Sequence, residues 1–206
     1  EGSQLLADLA IEGAPDKPLV VDLCAGAGGK TLAIVARLGN RGRILASDID
    51  DKKLEELRRR ARRATVSNAQ ALHLEDGRWP PALDAQRGKA DVVFVDAPCS
   101  GLGALRRNPE ARWRLREADL ATFATKQREI LDGAFQLCAS GGRIIYATCT
   151  LLRQENQDVI AGLLAARPEL STLPVTNPKL AAGDSFTVAP HTHGTDGFFA
   201  HVLRRA

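Results

Sequence analysis

Two cysteines in this chain stand where covalent chemistry can be done. Cys99 and Cys149 each follow directly on a short apolar run that is typical of a buried strand. In open α/β folds, ligands bind at the carboxyl ends of the strands, and a thiol placed there can act as a nucleophile. A lone cysteine is more often a small buried hydrophobe, which is our interpretation of Cys138 on an apolar helical stripe. We therefore predict that Cys99 and Cys149 belong to one reacting site.

A glycine-rich turn, residues 22–31, follows the first predicted strand of the chain. Glycines let the backbone turn sharply and come close to a ligand. Two common nucleotide motifs do not match this turn. A P-loop needs glycine where Cys24 stands, and the dinucleotide fingerprint needs glycine or alanine where Thr31 stands. Taken alone, the turn is as typical of a plain tight turn as of a ligand site.

Acidic residues after the next two predicted strands favour the ligand interpretation. Asp48 lies 20 residues after Gly28, at the end of the second strand, where a carboxylate accepts hydrogen bonds from ribose hydroxyls. Asp76 follows the third strand and is predicted to hold an adenine amino group. The sequence therefore predicts a bound adenosine-type ligand. The residues predicted to contact it are Cys24, Ala25, Gly26, Ala27, Gly28, Gly29, Lys30, Asp48, Asp76 and Asp96.

The elements that must position these residues follow from hydrophobic periodicity. Strands are predicted at 19–23, 43–47, 69–74, 91–95, 143–147, 185–188 and 198–203. Helices are predicted at 31–38, 51–64, 119–138 and 154–166. This alternation predicts an α/β fold with a Rossmann-like, mostly parallel sheet of seven strands. The last two strands have no helix between them and predict an antiparallel C-terminal hairpin, within one domain over 1–206.

Length and composition set further bounds on the kind of protein. The 206 residues are 44% hydrophobic and 26% charged, with no apolar run near the roughly 20 residues of a membrane span and no secretory leader. The four cysteines form no Cys-x-x-Cys pair, so we expect no metal site, reduced thiols and a cytoplasmic location. The chain begins at Glu1 without any methionine. We expect a monomeric piece of a longer protein.

The formal net charge is only +3, but the basic residues cluster. Arginines within 58–63 are interpreted as the solvated face of a helix. A second group lies in the long connection after the fourth predicted strand and consists of Arg106, Arg107, Arg112 and the neighbouring Trp113. Clustered positive charge of this kind favours a polyanion as partner.

Four segments are specific in combination: 96–101, 106–109 with Trp113, 148–149 followed by 155–156, and 196–199. They resemble the RNA 5-methylcytosine methyltransferases of the Sun/NOL1/NOP2 (RsmB/NOP2/Sun) type, and the resemblance runs from Ser3 to Phe199. The turn at 25–28 departs from the family, since Ala-Gly-Ala-Gly stands where members usually have Ala-Ala-Pro-Gly. That change keeps small turn residues. The N-terminal RNA-binding region that members usually carry is absent from these 206 residues.

The resemblance implies a fold, a cofactor and a substrate. The fold is the class I methyltransferase fold, the methyl donor is S-adenosylmethionine, and the substrate is a cytosine in RNA, with ribosomal RNA expected by analogy with bacterial relatives. The base must be unpaired or flipped out, because a helix hides its carbon 6. The basic loop residues Arg106, Arg107, Arg112 and Trp113 are expected to hold the flanking nucleotides by charge and stacking.

The resemblance also implies residue roles. Cys149 is the nucleophile that adds to carbon 6, which gives carbon 5 the enamine character needed to accept a methyl group. Cys99 assists product release. Asp96 is expected to bond nitrogen 3 and the exocyclic amine of the base. Lys30 is expected to orient Asp96 or the base, with a phosphate or solvent contact as the open alternative.

Three other functions stay open at this point. A DNA cytosine methyltransferase would use the cysteine of Pro98-Cys99 as its nucleophile, and the second cysteine argues against that function. A non-catalytic domain that binds a cofactor or RNA would not need both Cys99 and Cys149. A methyltransferase acting on a small molecule or a protein can share the fold, although the paired cysteines favour RNA.

Overall fold

Eight strands form one sheet in the part of the chain that this computed structural model describes, residues 2–175 and 183–206. The strands are β1 (Leu19–Asp22), β2 (Arg43–Asp48), β3 (Ala69–His73), β4 (Ala90–Asp96), β5 (Cys138–Thr148), β6 (Leu170–Thr172), β7 (Ser185–Val188) and β8 (Phe198–Arg205). The helices are α1 (Gly2–Ile11), α2 (Gly29–Leu38), α3 (Asp51–Arg63), α4 (Pro81–Asp84), α5 (Ala111–Arg114), α6 (Glu117–Leu137), α7 (Gln157–Ala166) and α8 (Pro190–His193).

The strand order in the sheet is β3-β2-β1-β4-β5-β8-β6, with β7 also paired to β8. Strands β1 to β5 are parallel, whereas β8 runs antiparallel to β5. The short strands β7 and β6 share the outer edge of β8, along residues 198–201 and 203–205 respectively. The predicted α/β class, with a mostly parallel sheet and an antiparallel C-terminal hairpin, is confirmed.

Strand β6 and helix α1 go beyond the sequence prediction, as do the four-residue helices α4, α5 and α8. Strand β6 has three residues, which is too short for a periodic pattern, and it raises the number of strands from seven to eight. Helix α1 buries Leu6 and Leu9 and packs on α2. It has no acidic residue in its first turn and no basic residue in its last turn, and only Gly13, with φ +66°, and Pro15 signal its end.

The junction between α6 and β5 also differs from the prediction. The helix ends at Leu137 and Cys138 already pairs with Ala90 of β4, whereas the sequence placed the strand start at Arg143. The register then shifts, so that Arg143 pairs with Val92. An irregularity of this kind inserts residues without changing the strand that follows, and hydrophobic periodicity does not reveal it.

Both faces of the sheet are buried, which explains why its strands appear as continuous apolar runs. In β4, Val92 and Phe94 belong to the core cluster that packs against α1 and α2. The alternate residues Val93 and Val95 belong to the cluster on the other face, under α6 and α7. Side chains alternate along a strand with a period of two. The packing therefore fixes the carboxyl ends of β1, β2, β4 and β5 at one edge, where the loops that follow them meet.

Candidate active site

The loops at the carboxyl ends of β1, β2 and β4 surround a cavity of about 820 Å³. Apolar walls come from Ile49, Trp79 and Ile130, which the sequence analysis did not single out. A cavity of this size accommodates a ligand as large as a nucleoside derivative. Most residues predicted to contact the adenosine-type ligand line it, namely Cys24, Ala25, Gly26, Ala27, Gly29, Lys30, Asp48 and Asp96.

The glycine turn owes its shape to two left-handed residues. Gly26 has φ +52° and donates its backbone N–H to Asp48 Oδ2 at 2.8 Å. Gly28 has φ +79° and begins α2, and a Cβ on it would lie 2.6 Å from Leu57 Cγ of α3. Side chains at these positions would be strained. Gly28 therefore serves the close packing of the turn on α3 and does not itself line the cavity.

Asp48 ties the end of β2 to the glycine turn. While Oδ2 accepts from Gly26, Oδ1 accepts from the backbone N–H of Asp50 at 2.9 Å. The carboxylate is thereby held in one orientation at the cavity wall. This is the place in which the sequence analysis expected a carboxylate to meet ribose hydroxyls.

Asp76 lies outside the cavity lining. It takes a left-handed conformation with φ +51°, its side chain is 79% exposed, and it pairs with Arg78 at 3.3 Å. The adjacent Gly77 lines the cavity instead. The expected contact between Asp76 and an adenine amino group thus stays a prediction, and it requires the carboxylate to leave its present partner.

Asp22 is a buried acid that the list of ligand contacts omitted. Its Oδ2 accepts from the Thr31 hydroxyl at 2.6 Å, and its Oδ1 has no hydrogen-bond partner among the described residues. Burial raises the pKa of Asp22 to about 7, although the Thr31 hydrogen bond opposes that rise. Because Asp22 also lines the cavity, it offers a positively charged ligand group an unpaired oxygen. Its place at the end of the first strand was the signal in the sequence.

Lys30 and Asp96 form an ion pair at the cavity wall. Lys30 Nζ lies 2.6 Å from Asp96 Oδ2, and both side chains are largely buried. The same ammonium group lies 5.7 Å from the centre of the Phe198 ring, within the range of a cation–π contact. This arrangement agrees with Lys30 orienting Asp96, and the open alternative, a contact with phosphate or solvent, stays a prediction.

Cys99 and Cys149 meet as the topology predicts. Strands β4 and β5 are parallel neighbours with Asp96 opposite Ala147, so the turns that follow them are side by side. The two sulfurs lie 3.3 Å apart. Neither cysteine takes part in a disulfide. The chain thus brings together two thiols from turns 50 residues apart.

The two thiols differ in acidity. A hydrogen bond from the Cys99 thiol lowers the pKa of Cys149, whereas that bond and burial raise the pKa of Cys99. Burial and Asp96 raise the pKa of Cys149, and Lys30 lowers it, but the Cys99 contact is the largest of these effects. Cys149 is therefore the sulfur that ionises first. Since the thiolate is the reactive form, the pair has one nucleophile and one hydrogen-bond donor.

A glycine in the loop after Cys99 packs against the Cys149 turn. The Gly103 backbone N–H donates to the Cys149 carbonyl at 2.9 Å, and the Gly103 carbonyl accepts from the Gly197 N–H at 2.8 Å. A Cβ on Gly103 would lie 2.3 Å from the Gly197 carbonyl oxygen and 2.8 Å from that of Cys149. The position therefore has no room for a side chain.

We expect Gly103→Ala to lower the free energy of unfolding by about 1–3 kcal/mol, because an added methyl group must push backbone atoms apart. Gly162→Ala is the matched control, since a Cβ there meets Arg128 Nε at an ordinary 3.7 Å. Urea unfolding of both variants measures the difference. Equal stability of Gly103→Ala and the unsubstituted protein would show that this packing is looser than the structure indicates.

The basic loop is tied to the segment before β8. Arg106 and Arg107 each contact the Asp196 carboxylate at 2.5 Å. In the same loop the Arg112 guanidinium lies 4.4 Å from the centre of the Trp113 ring, and that ring is 78% exposed. The loop therefore presents guanidinium groups and an exposed aromatic ring, which are the groups that contact phosphates and unstacked bases. Their predicted contact with RNA stays a prediction.

The arginines of α3 mostly match the predicted solvated face. Arg58 and Arg59 pair with Asp51 and Glu56 on the helix surface. Arg60 is an exception, because its Nη1 donates to the Ala27 carbonyl at 2.8 Å. It thus connects α3 to the glycine turn, a contact that the pattern of charges within the helix did not indicate.

Within residues 2–175 and 183–206, no helix is long and apolar enough to cross a membrane. In the same part of the chain, no group of three or more His, Cys, Asp or Glu side chains is placed to hold a metal ion. The monomeric state and the cytoplasmic location stay predictions.

The sheet order and the reversed last strand define a Rossmann-like methyltransferase. Residues 10–204 match the protein-family model described as 16S rRNA methyltransferase RsmB/F, and the chain belongs to this family. Membership confirms the resemblance found in the sequence and the predicted methyl donor, S-adenosylmethionine.

Individual relatives match all or nearly all of the chain but are longer than it. A methyltransferase of Mycobacterium tuberculosis H37Rv, Rv1407, is 42% identical over 215 residues, which are 100% of this chain and 45% of that protein. The ribosomal RNA small subunit methyltransferase F of Klebsiella pneumoniae is 35% identical over 198 residues, which are 93% of this chain and 41% of that protein. The chain thus spans less than half the length of these curated relatives.

Solved structures agree with this relationship. The crystal structure of PH0851 has a TM-score of 0.90 at 34% identity, with 100% of this chain and 46% of that chain covered. The structure of NSun6 from Pyrococcus horikoshii with SFG has a TM-score of 0.80 at 26% identity, with 98% and 51% covered.

Proposed function

We propose that this domain makes 5-methylcytosine in ribosomal RNA, with Cys149 as the nucleophile and Cys99 as its partner in product release. The observation that carries the proposal is the 3.3 Å contact between the two sulfurs. Carbon 5 of cytosine is a poor nucleophile and gains enamine character when a thiolate adds to carbon 6. The choice of ribosomal RNA is supported by the description of the family and the names of its members.

The cavity residues fit S-adenosylmethionine on three counts. The unpaired Oδ1 of Asp22 suits an ammonium group, and Asp48 suits the ribose hydroxyls. Ile49 and Trp79 offer apolar surface to the adenine ring. When bound, the cofactor supplies an electrophilic methyl group. These residues, together with the backbone of the glycine turn, would hold it beside Asp96.

Attack begins from the Cys149 thiolate. Its sulfur forms a bond to carbon 6 of the cytosine, and the ring electrons shift so that carbon 5 can form the bond to the methyl group. Asp96 lies 2.6 Å from Lys30 Nζ. It accepts a hydrogen bond from the exocyclic amine and shares a proton with nitrogen 3, and that proton neutralises the negative charge that develops on the ring. The hydrogen bond from Cys99 lowers the pKa of Cys149, which raises the share of thiolate available for this step.

Release requires that a base take the proton on carbon 5, that its electron pair re-form the double bond between carbons 5 and 6, and that the bond between sulfur and carbon 6 break. The electron pair of that bond returns to the Cys149 sulfur as a thiolate. Cys99 carries its proton into the reaction, because its pKa is raised. Its thiol is therefore suited to donate a hydrogen bond to the departing Cys149 sulfur and so stabilise the leaving group.

The product itself tests the proposal. The protein is incubated with small-subunit ribosomal RNA and S-adenosylmethionine, the RNA is digested to nucleosides, and these are separated by mass. We expect 5-methylcytidine as the methylated nucleoside, and none when Cys149→Ala replaces the parent. A methyl group on another nucleoside, or on another position of cytidine, would contradict the proposed reaction.

A further inference from the structure

One short segment after β5 holds both cysteine turns. A 3-10 turn (Arg153–Glu155) is followed by Asn156, which precedes α7. Glu155 is 0% exposed and Asn156 is 1% exposed, so two adjacent polar side chains point into the protein. The Tyr146 hydroxyl also donates to the Glu155 carbonyl at 2.5 Å, which fixes the backbone of the segment. Burial of such groups is costly unless hydrogen bonds replace water.

Asn156 contacts the residues on either side of Cys149. Its Oδ1 accepts from the Thr148 hydroxyl at 2.6 Å, and its Nδ2 donates to the Thr150 carbonyl at 3.0 Å. These bonds join the amide of Asn156 to both flanks of the turn that carries the sulfur. The side chain thus holds Cys149 in place without contacting its sulfur.

Glu155 holds the turn of Cys99, directly on one side and through Gln127 on the other. The Ser100 backbone N–H donates to Glu155 Oε1 at 2.9 Å and the Ser100 hydroxyl donates to Oε2 at 2.5 Å. Gln127 supplies the other flank, since its Nε2 lies 3.1 Å from Glu155 Oε1 and 3.0 Å from the Pro98 carbonyl. Three donors therefore converge on this carboxylate.

The contacts divide almost completely between the two cysteines. Glu155 reaches the Cys99 turn and Asn156 reaches the Cys149 turn, and the two groups meet where Ser100 Oγ lies 3.0 Å from Thr150 Oγ1. One dipeptide therefore contacts both turns and helps to set the 3.3 Å separation of the two sulfurs. A displacement of either turn by about 1 Å is enough to cost a hundredfold in the rate of an oriented reaction.

We propose that Glu155 and Asn156 are separate positioning residues, Asn156 for attack by Cys149 and Glu155 for the action of Cys99 in release. The inference rests on the proposed function, because it assigns each residue to one step of that reaction. Neither residue contacts the reacting atoms, and each acts through the cysteine turn that it holds.

The test compares Glu155→Ala with Asn156→Ala in the full chain, using labelled RNA and S-adenosylmethionine on a denaturing gel. We expect Glu155→Ala to raise the fraction of RNA held in a protein–RNA band by about tenfold or more, because attack proceeds and release slows. We expect Asn156→Ala to form little of this band and to lose about tenfold to a hundredfold in methyl transfer. The same phenotype in both variants, or parent-like release in Glu155→Ala, would overturn the inference.

Controls separate positioning from folding and from the reaction itself. Arg153→Ala alters the same 3-10 turn at an exposed side chain that pairs with Asp158, and it should behave as the parent does. If Glu155→Ala does not fold, Ser100→Ala replaces it. That variant loses the hydroxyl contacts to Glu155 and Thr150 but keeps the bond from the Ser100 N–H to Glu155, and it too should accumulate the band. Cys99→Ala and Cys149→Ala are run alongside. Failure of these two to differ would count against the proposed function, and failure of only the Glu155 and Asn156 variants would count against the inference.

A readout without RNA distinguishes positioning from a purely structural role. The rate at which iodoacetamide alkylates Cys149, followed by peptide mass, rises with pH through the pKa of that thiol. If Glu155 holds Cys99 in place, Glu155→Ala should move the midpoint to higher pH, as Cys99→Ala does, because the hydrogen bond to Cys149 is lost while Asp96 and Lys30 are unchanged. Glu155→Gln keeps an acceptor for the Ser100 N–H and should shift it less. An unchanged midpoint in folded Glu155→Ala would contradict the inference.

Discussion

Cys149→Ala is expected to reduce methyl transfer to RNA by about a thousandfold or more, the scale on which removal of a nucleophile acts in enzymes. Without the sulfur no bond to carbon 6 can form, and carbon 5 stays a poor nucleophile. The neighbouring Cys99 does not substitute for it, because its pKa is raised and its thiol is protonated. Transfer of labelled methyl groups to ribosomal RNA measures the effect.

Cys99→Ala should fail in a different way. Its Cys149 still attacks, although more slowly near neutral pH because the hydrogen bond that lowers the Cys149 pKa is gone. Release is slower still, since the departing sulfur lacks its donor, and a covalent protein–RNA complex should accumulate. The double variant should behave as Cys149→Ala does. Accumulation of the complex in Cys149→Ala alone would exchange the two roles and return the nucleophile to Cys99.

The second large effect concerns the cofactor. Asp48→Ala should weaken the binding of S-adenosylmethionine by about tenfold to a hundredfold, or roughly 1–3 kcal/mol. The substitution removes the predicted ribose contact and also the acceptor of the Gly26 N–H at 2.8 Å, which helps to hold the glycine turn. Calorimetric titration measures the affinity.

Asp16→Ala is the matched control, since that exposed acid pairs with Arg41 and does not line the cavity. Its affinity for the cofactor should equal that of the parent. Unchanged affinity in Asp48→Ala would remove Asp48 from the cofactor site. The same titration with Asp76→Ala tests the predicted contact between Asp76 and the adenine amino group. A loss of affinity would mean that this carboxylate turns from Arg78 towards the ligand.

Most of the fold could be predicted because its strands are buried on both faces. Val92 to Val95 are apolar without alternation, and such a run between helical stretches indicates a parallel strand. The boundary at Cys138 could not be predicted in this way, since it depends on the register shift between Ala90 and Val92. Strand β6 could not be predicted either, because its three residues are too few to show a hydrophobic period and only their pairing with β8 defines the strand.

The part of the site that depends only on the order of the strands could be predicted. Cys99 and Cys149 follow neighbouring parallel strands, so their turns had to meet. The contacts of Glu155 join residues near 98–100, 127 and 155, and no sequence spacing relates these three segments. The resemblance singled out Glu155 and Asn156 as a motif, but their division between the two turns appears only in the folded chain. For Asp76 the position in the sequence fits a contact with the adenine ring, because it follows β3, but the side chain pairs with Arg78.

The most direct test of the account is to identify which cysteine is attached to the base. RNA that carries 5-fluorocytidine is incubated with S-adenosylmethionine. A thiolate can add at carbon 6 and carbon 5 can take the methyl group, but carbon 5 then has no proton to lose, so release is blocked and the complex persists. After protease and nuclease digestion, the mass of the modified peptide identifies the sulfur. The account predicts attachment at Cys149 in the parent and in Cys99→Ala, and none in Cys149→Ala. Attachment at Cys99, or a persistent complex in Cys149→Ala, would contradict it.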